Sequence, residues 1–349
     1  MYVPRTLTIL TTDRCTAECD HCSVFSDKKR TDRLTAAQMI DSIGQASELG
    51  GLQTVVFAGG EPTLLKEDLL EAIAYAYSLG INTRLITNAS WAVSDQKARK
   101  KLLDLRQAGL VEINFSLDKY HSPYIPVGHV LNAWRAAKGI GFRSVVLATH
   151  HSNENPYTED VVFEMIGEQI PVINIGDPDS IVEELRADDG TFYCLSYGPL
   201  QKLGRAAQKI PDEVFGWYHL DQLEMGCQYY AVSPALSPRN SLLSCCGVEA
   251  NRNPLLDFGV VEEDGSVEKM LRERSEDLFS SAFSVIGPVG MARVLRDNDE
   301  NSGIHERYTS VCQVCEHITT DPVIRDKLSR LTPQIAQACV KRHLLRRAS

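Results

Sequence analysis

The sequence contains no apolar run long enough to cross a membrane. Its opening residues, MYVPRTLTIL, lack the extended apolar core of a signal peptide. Together these absences lead us to expect a cytoplasmic protein with no membrane partner, in a compartment that keeps thiols reduced. Positive charge is in short supply too. The formal net charge is −10, which excludes a general affinity for nucleic acid. No internal repeat and no low-complexity linker interrupts the 349 residues, a length that suits one large domain or a domain with an appendage. The hydrophobic share of 43% is that of a globular chain with a real core.

Cysteine, by contrast, is plentiful, with ten residues. In a reducing compartment this points to metal or redox chemistry rather than to disulfides. The cysteines fall into groups: Cys15, Cys19 and Cys22, then Cys227, then adjacent Cys245 and Cys246, then Cys312 and Cys315. Cys194 and Cys339 stand apart and read as small buried hydrophobes. The stretch DRCTAECDHC (13–22) has no fourth cysteine nearby. A structural zinc site needs four ligands and a closed tetrahedron, whereas three ligands leave a metal position open. Thiolates at C-x3-C-x2-C spacing suit three irons of a cubane cluster, with the fourth iron free for a substrate or cofactor. The alternatives are a zinc loop that borrows a distant ligand, or unlinked thiols.

Short apolar runs alternate with amphipathic stretches through the first two-thirds of the chain. Strands are expected at 6–11, 53–58, 82–87, 110–116 and 142–149. Helices are expected from Thr35 to about 49, over 66–79, from Ser94, near 128–139 and near 158–168. Thr35 and Gln38 form a capping box at the first helix. A sixth strand falls in 171–176 or in 191–198, the second being preferred because of the motif that follows it. Regular β-α alternation predicts the α/β class with a parallel sheet. Six units are too few to close an eight-fold barrel and fit a partial (β/α)6 TIM-type barrel. Each unusual motif follows a strand, so all should meet at the carboxyl-end mouth of the sheet. Past about residue 215 the alternation fades, which divides the chain into 1–215 and 216–349.

The segment GGEP (59–62) follows the second strand. Its glycines let backbone approach a ligand closely, and Glu61 offers a carboxylate suited to an ammonium group. C-x3-C-x2-C after the first strand, with GGEP after the second, resembles the radical S-adenosylmethionine enzymes over roughly residues 5 to 210. The resemblance implies that Cys15, Cys19 and Cys22 hold a [4Fe-4S] cluster whose free iron binds S-adenosylmethionine. It implies that Gly59, Gly60 and Glu61 contact the methionine amino group. It also implies that reductive cleavage of the cofactor yields a radical that removes a hydrogen from the substrate. ITNAS (86–90) resembles the family's third-strand segment and offers Asn88 to the adenosyl moiety. SLDKYH (116–121) offers Ser116 and Asp118 to the ribose or methionine, and GRAA (204–207) offers Arg205 to the methionine carboxylate.

The remaining paired cysteines could close a zinc site or a second cluster. An iron-sulfur domain behind a radical barrel resembles the SPASM and twitch extensions that accompany enzymes modifying ribosomally made peptides. On that resemblance Cys227, Cys245, Cys312 and Cys315 are ligands of a second [4Fe-4S] cluster in a C-terminal iron-sulfur domain. Adjacent strand residues point to opposite sides, which leaves Cys246 free, or the roles of Cys245 and Cys246 exchanged. A free thiol near a radical site can return a hydrogen atom to carbon. The segments CDHCS, ITNASW, SLDKYHSPY, SCC and SVCQVC occur in the order of peptide epimerases of the YydG type. The chain departs from that pattern in the TLL after GGEP and in a long 227–245 interval containing SPALSPRNS. The resemblance implies Cα hydrogen abstraction from an L-residue of a ribosomally synthesised precursor peptide. Cys246 then donates hydrogen from the opposite face, and a partner such as flavodoxin or ferredoxin supplies electrons. The alternatives are a peptide cross-linking maturase, a radical enzyme for a small metabolite, and a zinc-stabilised binding module. The basic run KRHLLRR (341–347) reads as the solvated face of a final helix, or as a contact for a leader peptide.

Overall fold

A computed structural model describes residues 1–175, 186–246, 253, 255–262 and 265–348. Strands and helices alternate through the first half: β1 (Thr6–Leu10), α1 (Ala36–Glu48), β2 (Thr54–Ala58), α2 (Glu67–Ser78), β3 (Asn82–Thr87), α3 (Asp95–Gln107), β4 (Glu112–Ser116), α4 (Val127–Ala137), β5 (Ser144–His151), α5 (Glu159–Ile166), β6 (Val172–Asn174) and β7 (Phe192–Pro199). The chain continues through α6 (Ala206–Lys209), β8 (Tyr218–His219), β9 (Ala235–Leu236), β10 (Ser241–Leu243) and β11 (Asp257–Val260). It ends in a mostly helical region: α7 (Ser266–Glu276), α8 (Leu278–Val285), α9 (Gly287–Asn298), β12 (Arg307–Tyr308), α10 (Val311–Thr320), α11 (Pro322–Arg330) and α12 (Thr332–Ala348).

The main sheet has the order β11-β10-β9-β1-β2-β3-β4-β5-β7-β6. Strands β9 through β6 in that order run parallel, and β10 and β11 extend one edge antiparallel. The fold is thus mixed α/β with a large parallel sheet and a helical C-terminal region, as the alternation predicts. Both candidates for the sixth strand form. The preferred run, β7, lies beside β5 because its first six residues are buried and apolar enough to fill a central position. The shorter β6 is added outside it, with its side chains half-buried.

Apolar faces at helical spacing explain the layer over the sheet. Met39, Ile43 and Ala46 of α1 and Leu69, Ala72, Ile73 and Ala76 of α2 are buried. So are Leu102 and Leu105 of α3 and Val130, Ala133 and Trp134 of α4. Helix α1 starts on the expected capping box, with Thr35 Oγ1 accepting from the Gln38 amide at 3.3 Å. Beyond residue 215 the chain returns to the sheet, with β9 pairing β1, and its helices pack on the same apolar core. Tyr2 near the N-terminus donates to the Ser280 carbonyl in α8 at 2.9 Å, tying the two ends together. Among the described residues no single helix is long and apolar enough to cross a membrane.

Two substitutions separate local from global contributions. Thr35→Ala should lower unfolding stability by about 1 kcal/mol, the typical worth of an N-cap. Phe57→Ala, which empties a fully buried ring site in β2, should cost about 3–5 kcal/mol. Denaturant midpoints of the two variants measure the contrast.

Candidate active site

The carboxyl ends of β2, β3, β4, β5 and β7 surround a cavity of about 450 Å³. Its wall brings together Cys15, Cys19, Cys22, Gly59, Gly60, Asn88, Ser116, Asp118 and Cys246. The three cysteines sit on the long loop between β1 and α1. Two glycine surfaces hold that loop from opposite sides. A Cβ on Gly60 would lie 2.1 Å from the Arg14 carbonyl oxygen, and one on Gly59 would lie 2.9 Å from that of Thr12. Gly59 also has φ of +113°, a conformation that favours glycine. The Gly60 and Glu61 amides donate to the Thr12 and Arg14 carbonyls at 2.7 and 2.9 Å. From the other side, a Cβ on Gly204 would lie 2.7 Å from the Cys22 carbonyl oxygen, to which the Arg205 amide donates at 2.9 Å.

Arg205 therefore has a different position from the one its motif suggested. Its Nη1 donates to the Cys19 carbonyl and its Nη2 to the Ser26 carbonyl, both at 2.8 Å, in a buried setting. The guanidinium braces the cysteine loop instead of standing open to a carboxylate. The Glu61 side chain is fully buried and staples β2 to β3. Its Oε1 accepts from Thr63 Oγ1 at 2.5 Å and Thr87 Oγ1 at 2.8 Å, and its Oε2 from the Asn88 amide at 2.9 Å. Burial pushes the Glu61 carboxyl above its ordinary value, and these hydrogen bonds oppose that rise. Asn88 lines the cavity and also turns back to the loop, with Nδ2 donating to Thr16 Oγ1 at 3.0 Å and to Cys15 Sγ at 3.5 Å.

Asp118 lines the cavity and is bonded to a cluster of histidines. It is 2% exposed, with His121 Nδ1 2.7 Å, His21 Nε2 3.7 Å and His150 Nε2 3.9 Å from its Oδ2. Burial disfavours charge on Asp118, but the histidines, His121 foremost, hold its carboxyl well below the usual range. Burial likewise opposes charge on His121, and the Asp118 carboxylate outweighs it, raising the imidazole well above its usual value. His21 and His150 are lowered, chiefly by burial. Sequence reading missed these histidines. The available signals were His21 between two cysteines, His121 closing SLDKYH, and His150 at the end of a strand. Ser116 lies half-buried in the cavity wall at the end of β4.

Cys245 and Cys246 follow β10, and Cys246 lines the cavity. Cys312 and Cys315 occupy the start of α10, which Ser310 caps by accepting from the Gln313 amide at 3.2 Å. Burial pushes the Cys312 thiol up to about 12, with further upward contributions from Cys245, Cys227 and Cys246. Cys315 is pushed well above its ordinary value by burial, then by Cys245, Cys312 and Cys227. Cys315 belongs to the main apolar core, and Cys227, Cys245 and Cys312 pack against it half-buried. Cys246 presents its accessible surface to the cavity instead. The surrounding protein raises its thiol pKa by burial, and a hydrogen bond with the Thr8 side chain lowers it in part.

Comparison with known proteins places this geometry. Residues 9–164 match the Radical SAM superfamily model. The chain is 22% identical over 317 residues to the putative peptide biosynthesis protein YydG of Bacillus subtilis (strain 168), covering 89% of this chain and 91% of that protein. It is 34% identical over 115 residues to the PqqA peptide cyclase of Bradyrhizobium diazoefficiens, covering 33% of this chain and 28% of that protein. The fold is shared with native anSMEcpe, solved with bound AdoMet and Cp18Cys peptide, at a TM-score of 0.51 and 12% identity. That likeness covers 97% of this chain and 99% of the other.

Gly60→Ala should displace the cysteine loop, because its methyl group has no room against the Arg14 backbone. The expected outcome is loss of iron from the reconstituted protein with near-native far-UV circular dichroism. Gly128→Ala, at a glycine with open space around it, should keep its iron in the same measurement.

Proposed function

We propose that this chain, which carries a Radical SAM domain over residues 9–164, is a peptide epimerase. It inverts an L-residue of a ribosomally synthesised precursor peptide. The observation that carries this reading is that Cys246 opens into the cavity lined by Cys15, Cys19 and Cys22. Three thiols on one loop, with glycine backbone pressed beside them, fit a [4Fe-4S] cluster that leaves one iron for S-adenosylmethionine. When bound, these two groups supply the radical that takes a hydrogen atom from the substrate. Gly59, Gly60, Asn88 and Ser116 line the same cavity, where the glycine backbone would take the methionine amino group, Asn88 the adenosyl moiety and Ser116 the ribose or methionine. Cys227, Cys245, Cys312 and Cys315 fit a second cluster, making residues 216–349 the auxiliary part of a chain whose barrel spans 1–215.

The reaction of the peptide is balanced by one thiol. Removal of hydrogen from one face of Cα leaves a carbon radical. Cys246 gives a hydrogen atom to the opposite face, breaking its S–H bond and forming a new Cα–H bond. Its sulfur is then one electron and one proton short, which a donor such as flavodoxin or ferredoxin and solvent restore. The relatives agree with a peptide substrate: YydG is a putative peptide biosynthesis protein, and anSMEcpe was solved with a peptide. The match to the PqqA peptide cyclase favours a second reading, a peptide cross-linking maturase in which Cys246 is dispensable.

The two readings differ in mass. In deuterated water with the candidate peptide, S-adenosylmethionine and reductant, epimerisation should add one deuterium at Cα and yield a D-residue. Cross-linking should remove two hydrogens. Cys246→Ala should still cleave S-adenosylmethionine but form no D-residue, whereas Cys15→Ala should lose cleavage itself. A D-residue formed at the normal rate by Cys246→Ala would remove the donor role.

A further inference from the structure

We propose that Asn88 is a positioning residue for the three-thiol site: its side-chain amide carries a hydrogen bond from the end of β3 to the Cys15 sulfur and raises the reduction potential of the cluster held there. This rests on the reading that Cys15, Cys19 and Cys22 hold a [4Fe-4S] cluster.

Cys15 Sγ accepts from the Ala17 amide at 3.4 Å, and Cys22 Sγ accepts from the Ser26 amide at 3.3 Å. Both of these amides belong to the cysteine loop itself. Asn88 Nδ2 donates to Cys15 Sγ at 3.5 Å from 73 residues along the chain. It is a donor that a substitution can remove while the backbone of the loop keeps its own bonds.

The partners of the Asn88 amide fix which end is nitrogen. A backbone N–H can only donate, and the Ser90 amide donates to Oδ1 at 3.0 Å. That contact assigns the oxygen, which leaves Nδ2 facing Thr16 Oγ1 at 3.0 Å and Cys15 Sγ. The backbone is held as firmly. The Asn88 amide donates to Glu61 Oε2 at 2.9 Å, and the neighbouring Thr87 Oγ1 donates to Glu61 Oε1 at 2.8 Å. Trp91 Nε1 donates in turn to Thr87 Oγ1 at 3.0 Å. Ala89 is fully buried with φ of +58°, a left-handed conformation that a residue other than glycine adopts at a cost. Such strain persists only where the surroundings hold it, and here it sits beside the residue that reaches the sulfur.

A hydrogen bond to a cluster sulfur stabilises the reduced, more negative cluster and so raises its potential. The same bond ties Cys15 to the sheet, as an outer partner orients a metal ligand. Both Nδ2 hydrogens are engaged in this arrangement. An adenosyl moiety would therefore meet Asn88 at the second lone pair of Oδ1.

The test uses full-length protein reconstituted anaerobically, with the barrel cluster identified as the EPR signal that changes on adding S-adenosylmethionine. Residues 13–30 contain no asparagine, so selective 15N labelling of asparagine leaves the cysteine loop unlabelled. Pulsed EPR of the labelled wild-type protein should show a 15N coupling on that signal which Asn88→Ala lacks. In redox titrations Asn88→Ala and Asn88→Leu should keep iron and sulfide at the wild-type level and move the midpoint to more negative potential. Thr16→Val, which removes the other Nδ2 partner and leaves the bond to sulfur, should shift it less. An unshifted midpoint in both Asn88 variants overturns the proposal. An equal shift in Thr16→Val also overturns it, because the effect would then be a loosening of the loop. If both Asn88 variants lose the cluster, the labelled wild-type protein decides, and a signal without asparagine coupling overturns the proposal. A wild-type protein with no S-adenosylmethionine-sensitive signal would remove the cluster reading as well, whereas a signal without asparagine coupling removes only the role of Asn88.

Discussion

The site depends on the close approach of two stretches of backbone to the cysteine loop. Gly59 and Gly60 press on it from the end of β2, and Gly204 presses from beyond β7. These contacts are close enough that a single methyl group would collide with carbonyl oxygens of the loop. The contact also brings amides within reach of the Thr12, Arg14 and Cys22 carbonyls. A loop of this length would otherwise leave such groups to solvent. Fixing the backbone fixes the three thiols, so the chemistry of the cavity is set by where side chains are absent.

The acidic side chains around the cavity serve the same end. Glu61 joins Thr63, Thr87 and Asn88. Asp118 joins His121 and two amides. A buried carboxylate is costly unless its lone pairs are satisfied, and both residues satisfy them within the protein. What they supply is rigidity at the ends of β2, β3 and β4, where a misplacement of about 1 Å can cost on the order of a hundredfold in rate. Arg205 completes the frame as a buried cation bonded to carbonyls of the loop.

The parallel sheet brings distant cysteines to one cavity. Strand β9 lies parallel beside β1, and β10 returns antiparallel along β9. Cys246, shortly after β10, lines the cavity together with the three thiols, although more than two hundred residues separate them. The helical region contributes Cys312 and Cys315 from the start of α10.

The sequence by itself determined what is local. The six β-α units, the Thr35–Gln38 capping box and the three-cysteine loop were legible because each rests on spacing within a few residues. GGEP was legible as a backbone feature, because glycine at a strand end has a steric meaning wherever it occurs. Only the tertiary structure decided where the polar side chains point. Arg205 is 186 residues from Cys19, and nothing in GRAA announces that its partners are loop carbonyls. Glu61 and Asp118 read as ligand contacts, and nothing in their motifs announces the partners from other strands and loops that surround their buried carboxylates. The strand pairing that brings Cys246 to the cavity was equally hidden, since β9 and β10 are too short to carry a pattern of their own. Local propensities are written in adjacent residues, whereas the direction of a buried charge is set by partners that folding brings from elsewhere in the chain.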